Sequence, residues 1–219
     1  MVYTVIAANG DLVDGEAVRS ALALPFDQPS LIIAADGGLR HLVALGMTPN
    51  VVIGDMDSAD PAQLAEAERG GAELLRFSPH KNETDLELAV LEAVKRGGDV
   101  IRIIGALGDR FDQSISNVHL LALPELRGCK ASLVSGKQTL SLSFPGETVL
   151  TGNPGDTVSL IPVAGDASGI VTEQLEYPLR HETLRFGAAR GVSNVMLIQQ
   201  AKFSFETGVL LVVHTIGRA

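Results

Sequence analysis

Short apolar, largely β-branched runs at residues 2–8, 31–35, 51–53, 73–77, 100–104 and 131–135 alternate with longer helix-compatible stretches. That rhythm predicts parallel strands joined by helical crossovers. Between residues 84 and 96 the apolar positions Leu86, Leu88, Ala89, Leu91 and Val94 leave Glu87, Glu92 and Lys95 on other faces, the mark of an amphipathic helix. Thr84 suits its N-cap and Gly97-Gly98 its stop. After about Gly136 the period shortens to two. Residues 139–144, 157–163 and 208–213 alternate between Pro-Gly, Gly-Asn-Pro-Gly and Gly-Asp sequences, which predicts antiparallel strands and tight turns. The expected fold is a parallel, Rossmann-like α/β domain over residues 1–136, followed by a small antiparallel β-sandwich over residues 137–219.

Composition narrows the picture. With 46% hydrophobic and 20% charged residues in 219, the chain can bury a sizeable core, which excludes intrinsic disorder. The net charge of −9 is uneven: residues 1–136 hold 11 basic against 19 acidic side chains, the remainder 6 against 7. No basic stripe is present, so nucleic acid is not an expected partner. The apolar run at 209–213 is far short of the roughly 18 residues that cross a bilayer, so no membrane span is expected. The opening MVYTVIAANGD reads as a buried strand and not a leader. Cys129 is the single cysteine, which rules out a disulfide framework within the chain and fits a cytoplasmic protein. His41, His80, His119, His181 and His214 show no zinc-ligand spacing.

The candidate chemistry lies at the ends of the expected strands, where open α/β sheets bind ligands. Asp36-Gly37-Gly38 ends one strand; the glycines would let backbone amides approach a phosphate, and Asp36 could reach a metal. A second strand runs into Asp55-Met56-Asp57, whose carboxylates would project to one side in extended geometry. Two such anions repel unless a cation lies between them, and an all-oxygen set favours Mg²⁺. Lys81 and Asp85 precede the amphipathic helix and offer a phosphate counter-charge and a further carboxylate. Arg110, following Gly105 and Gly108, presents a planar fork suited to phosphate oxygens. Each segment alone also suits a helix cap, an acidic turn or an Arg110–Asp112 surface pair. Together they predict a Mg²⁺-dependent enzyme acting on a nucleotide or phosphorylated ligand, although neither a P-loop nor a G-x-G-x-x-G sequence is present.

In this order and spacing, Asp36-Gly37-Gly38, residues 46–58, residues 81–85, and residues 105–112 with Asn117 resemble the thiamine pyrophosphokinase family. The resemblance continues through Glu176-Tyr177-Pro178-Leu179, Leu184, Gly187 and Gly191-Val192-Ser193-Asn194. It implies an enzyme that transfers the pyrophosphoryl group of ATP to the hydroxyl of thiamine, giving thiamine diphosphate and AMP. It implies an N-terminal nucleotide domain, a C-terminal β-sandwich, and a homodimer with active sites between subunits. Carried over by position, Asp55, Asp57 and Asp85 would hold Mg²⁺ with Asp36 nearby, and Lys81 and Arg110 would bind ATP phosphates. Gly37, Gly38, Thr84, Asp112, Gln113 and Asn117 would line the nucleotide side, and Ser193 and Asn194 the thiamine side. The chain departs from many bacterial members at Gln113, where they carry His, and at Asn82, where they carry Asp. It has no tryptophan, so aromatic stacking on thiamine would fall to Tyr177, Phe186 or another phenylalanine. A pyrophosphokinase for another hydroxymethyl heterocycle, such as a pterin, and a non-catalytic nucleotide or thiamine sensor share much of this pattern.

Overall fold

The computed structural model describes residues 1–23 and 30–218, and the chain divides into two units, Met1–Gly136 and Lys137–Ala219. The first unit contains strands β1 (Val2–Ala7), β2 (Ser30–Ala35), β3 (Val51–Gly54), β4 (Glu73–Arg76), β5 (Gly98–Ile104) and β6 (Lys130–Ser135). Its helices are α1 (Glu16–Leu22), α2 (Leu39–Ala44), α3 (Pro61–Arg69), α4 (Asp85–Lys95) and α5 (Phe111–Leu120). The strands lie in the order β6-β5-β1-β2-β3-β4 and every pairing is parallel. Near-continuous apolar runs suit such strands because both faces are covered. Ile6 registers with Ile33 on one side and Ile103 on the other, and all three are fully buried.

Helix α4 shows how sequence fixes the crossovers. Thr84 has extended backbone and its Oγ1 accepts from the Glu87 N–H at 3.1 Å, a cap worth about 1 kcal/mol. Leu86, Leu88, Ala89, Val90 and Ala93 are buried on the side that meets β2, β3 and β5, and Gly97, at φ 81, ends the helix. Glu92 is a correction to the helical reading, because it is buried and not on an outer face. Its carboxylate is held by Arg96 Nε at 2.7 Å and Lys95 Nζ at 3.0 Å, and Arg96 continues to Glu73 at 2.6 Å. Burial alone would raise the pKa of Glu92, but these two cations outweigh it and hold the carboxyl below its ordinary range.

The second unit contains β7 (Gln138–Ser143), β8 (Gly146–Thr151), β9 (Thr157–Pro162), β10 (Ala167–Glu173), β11 (Arg180–Leu184), β12 (Asn194–Val195), β13 (Gln200–Phe205) and β14 (Leu210–Thr215). Rows β12-β9-β14-β7 and β11-β10-β13-β8 are antiparallel throughout. Leu160, Leu210 and Val212 from the first row and Ile170, Leu184 and Phe203 from the second bury one shared core. Alternate residues supply it, as strand geometry requires.

A polar clamp holds the end of this unit. Asp156, 2% exposed, accepts from the N–H groups of Gly217 and Asn153, each at 2.8 Å, and lies 2.9 Å from His214 Nε2. Burial alone would raise its pKa, yet the hydrogen bonds prevail and hold it below the ordinary carboxylate value. A depressed folded pKa contributes stability that is complete above the unfolded value near 4 and disappears as pH falls through the folded one. Asp156→Asn should therefore cost about 1–3 kcal/mol at pH 7 and clearly less at pH 3. Urea unfolding of both proteins at the two pH values checks this; a cost independent of pH would contradict it.

Candidate active site

The strand order turns back at β1, which lies between β2 and β5, and a cleft of about 580 Å³ opens beyond the carboxyl ends of these strands. The floor forms where the ends of β1 and β5 are stitched together. Ala8, Gly10 and Asp11 donate their N–H groups to Ile104, Gly105 and Leu107 at 2.9, 2.7 and 2.7 Å. A Cβ at Gly10 would stand 2.6 Å from the carbonyl oxygens of Gly105 and Leu107, so this approach needs glycine. Asn117, buried on α5, donates from Nδ2 to the Ala106 carbonyl at 2.7 Å and fixes the same loop.

Three carboxylates meet at the end of β2 and β3. One oxygen from each of Asp36, Asp55 and Asp57 lies within 4.8 Å of the others. Asp36 is 4% exposed with φ 47, and its Oδ1 accepts from the Ser58 N–H at 3.4 Å. Burial pushes its carboxyl above the ordinary range and the nearby Asp85 adds to this, while N–H groups of Gly37 and Ser58 oppose it. Asp55 and Asp57 do not share a side through strand alternation, as their spacing suggested. The strand stops at Gly54 and the chain turns through Met56 at φ 66, so that Asp57 N–H reaches Asp55 Oδ1 at 3.2 Å. Capping of α3 falls to Asp60, whose Oδ1 accepts from Ala62 N–H at 2.7 Å, leaving Asp55 and Asp57 to the cleft.

Asp85 borders this trio but is engaged differently. Its Oδ1 lies 2.9 Å from Lys81 Nζ, which also stands 3.8 Å from Asp55 Oδ2. Burial would lower the Lys81 pKa, but Asp85 first, then Asp55 and Asp36, hold the ammonium above its usual value. Arg110 lines the cleft and forks onto Asp112, with Nη2–Oδ2 at 2.6 Å and Nε–Oδ1 at 3.2 Å. Thr84 and Gln113 also line the cleft. Gly37 and Gly38 are buried, and their smallness serves packing: a Cβ on Gly38 would stand 2.0 Å from the Ala7 carbonyl oxygen, and one on Gly37 2.4 Å from Asn9 Oδ1.

Sequence reasoning missed part of the wall. Asn9, Gly10, Asp11, Arg40 and Ser58 line the cleft, and His41 Nε2 lies 2.8 Å from the Gly10 carbonyl. A carbonyl only accepts, which assigns the proton to Nε2; burial keeps the His41 pKa below its ordinary value. The signal available was β1 running directly into Asn9-Gly10-Asp11, the same strand-then-polar pattern seen after the other strands.

Ser193 and Asn194 belong to the second unit and line a pocket of about 260 Å³ with Tyr177, Pro178 and Arg190. Ser193 has φ 62 and its N–H donates to Ser159 Oγ at 3.0 Å. Both ends of the Asn194 amide grip the Tyr177 main chain, Oδ1 accepting its N–H at 2.9 Å and Nδ2 donating to its carbonyl at 2.7 Å. Tyr177, 60% exposed, is thus set at the pocket edge with its ring available.

A parallel α/β unit followed by a two-layered antiparallel unit is an architecture already solved in a class of transferases. The crystal structure of thiamine pyrophosphokinase from Bacillus subtilis superposes with a TM-score of 0.85 at 24% identity, covering 99% of each chain. That of thiamin pyrophosphokinase from Candida albicans gives 0.80 at 15% identity, over 97% of this chain and 89% of its own. Thiamine pyrophosphokinase of Bacillus subtilis (strain 168) is 27% identical over 190 residues, 86% of this chain and 89% of its own. The family description "Thiamin pyrophosphokinase, catalytic domain" matches residues 23–133, and "Thiamin pyrophosphokinase, vitamin B1 binding domain" matches residues 147–210. The chain belongs to the thiamin pyrophosphokinase family, and its reaction is transfer of the pyrophosphoryl group of ATP to thiamine. Among the described residues no helix is long and apolar enough to cross a membrane.

Proposed function

We propose that the cleft of the first unit binds Mg²⁺-ATP and that the pocket of the second unit receives thiamine. The gathering of Asp36, Asp55 and Asp57 oxygens within 4.8 Å, beside Lys81, carries this reading. The donor set is all oxygen and anionic, which fits a hard divalent ion, so these three residues would hold Mg²⁺ with Asp85 beside them. When bound, the ion supplies neutralisation of phosphate charge.

The protein's own groups do the rest by position. Lys81, steadied by Asp85, presents an ammonium to a phosphate oxygen. Arg110 exchanges Asp112 for phosphate and offsets charge developing on AMP as the bond between the α- and β-phosphoryl groups breaks. The thiamine hydroxyl attacks the β-phosphorus in line, and such transfer depends on alignment and charge stabilisation more than on covalent help. The Asp85 carboxylate is already paired with Lys81, so the hydroxyl proton passes to phosphate or solvent and not to Asp85. Thr84, Gln113 and Asn117 shape the nucleotide wall, and Gly37 and Gly38 let it close up against β1.

In this reading the parallel sheet is a Rossmann-like nucleotide domain, and the protein works in the cytoplasm as a homodimer with active sites between subunits. The direct test mixes purified protein, Mg²⁺-ATP and thiamine and follows AMP and thiamine diphosphate together, with no-thiamine, no-Mg²⁺ and hydroxymethylpterin controls, alongside sedimentation velocity. Equal yields of both products that require thiamine and Mg²⁺ support it; AMP with the pterin alone would remove the acceptor assignment. Asn194→Ala should raise the thiamine KM about tenfold and leave the ATP KM within about twofold, because it frees the Tyr177 main chain rather than a nucleotide contact. Equal changes in both constants would reduce Asn194 to a general structural turn.

A further inference from the structure

Among the described residues three cations line the cleft, and they differ in what holds them. Lys81 is paired with Asp85, and Arg110 with Asp112. Arg40 has no carboxylate within ion-pair distance among the described residues; its guanidinium is held entirely by carbonyls. Nη1 donates to Gly37 at 3.1 Å, and Nη2 to Asn9 at 2.8 Å and Gly10 at 3.1 Å. A guanidinium has five N–H groups. These bonds engage three of them, so the Nε–H and one Nη1–H remain on a side chain that faces the cleft.

The setting favours a definite occupant. The same cleft presents Asp11, Asp36, Asp55, Asp57, Asp85 and Asp109. A polyphosphate entering it meets repulsion unless positive charge is available, and Lys81 and Arg110 are already compensated by carboxylates. Carbonyl dipoles orient Arg40 without cancelling its charge. A guanidinium fixed from two loops also loses little conformational freedom when an anion binds. We infer that Arg40 binds a phosphate oxygen of the nucleotide through its remaining Nε–H while clamping the loop after β1 to the loop after β2. This rests on the proposed use of the cleft for Mg²⁺-ATP.

Arg40→Gln separates the two roles, since its carboxamide can still donate to the carbonyls but carries no charge. Calorimetric titration of wild type and variant with Mg²⁺-ATP and with adenosine should show about tenfold weaker ATP binding in the variant, with adenosine affinity within about twofold. Equal losses for both ligands, or none for ATP, would overturn the assignment. A second readout uses wild-type protein: the Arg40 Nε–H resonance, assigned by its loss in Arg40→Lys, should move on addition of Mg²⁺-ATP and stay in place with adenosine. An unmoved resonance at saturating ATP overturns it as well. Wild-type protein that neither binds Mg²⁺-ATP nor forms AMP would remove the reading of the cleft itself, whereas full ATP affinity in a folded Arg40→Gln protein removes only the role of Arg40.

Discussion

Asp57→Asn should lower AMP release by at least 10²–10³-fold, the scale of losing one preorganised charge-stabilising group, while the protein stays folded. Asp57 is exposed, its Oδ1 accepts from Ser58 Oγ at 2.9 Å, and its N–H reaches Asp55 Oδ1. Asparagine keeps the volume and an acceptor for Ser58, so no cavity or orphaned donor results. What it removes is one of three negative charges packed within 4.8 Å of one another, the charge that a divalent ion needs and that otherwise repels its neighbours. Thermal unfolding without Mg²⁺ should therefore remain within about 0.5 kcal/mol of wild type. A folded Asp57→Asn protein that forms AMP at near wild-type rate would refute the assignment of this cluster to the reaction.

Gly54→Ala should damage the same cluster without touching a carboxylate. Gly54 sits at φ 146, and a Cβ there would lie 2.9 Å from Asp85 Oδ1 and 3.1 Å from Asp36 Cβ. Relief requires Asp85 to leave its position beside Lys81 or Asp36 to move within the buried end of β2. Backbone strain of about 1–3 kcal/mol adds to this, so both stability and turnover should fall, the latter by about 10²-fold. Gly46→Ala is the matched control: Gly46 also has positive φ, at 66, but a Cβ there meets nothing within 4 Å. It should lose about 1 kcal/mol and keep its activity. Stability follows from urea unfolding and turnover from AMP release; equal activities in the two variants would show that strain alone, and not the crowding of Asp36 and Asp85, is at work.

Much of the secondary structure is legible locally. Apolar runs without alternation read as parallel strands covered on both faces, although β4 lies at the edge and is only half-buried, and the α4 pattern with Thr84 before it and Gly97 after it reads as a helix. The alternation at residues 139–144 and 208–213 likewise becomes β7 and β14, paired antiparallel with Leu142 opposite Leu211. Periodicity misled at Glu92, because a helical period cannot show that Arg96 and Lys95 will pair with a carboxylate tucked beneath them. It misled again at Asp55 and Asp57, where a left-handed Met56 replaces extended backbone.

The candidate site divides in the same way. Acidic and glycine-rich segments after apolar strands announced a ligand-binding edge, and residue type alone pointed to a hard cation and phosphate. Which carboxylates converge was decided in three dimensions: parallel pairing of β2 with β3 brings Asp36 to Asp55 and Asp57, while α4 delivers Asp85 to Lys81. Arg40 was silent in the sequence because its partners are main-chain carbonyls, which every residue possesses. By itself the sequence determined the kinds of strand, the helix ends and the chemical type of the site, since these depend on neighbours a few residues away. Only the tertiary structure decided which charges meet, because strand order and register bring together residues far apart in the chain, and electrostatic interaction depends on distance in space.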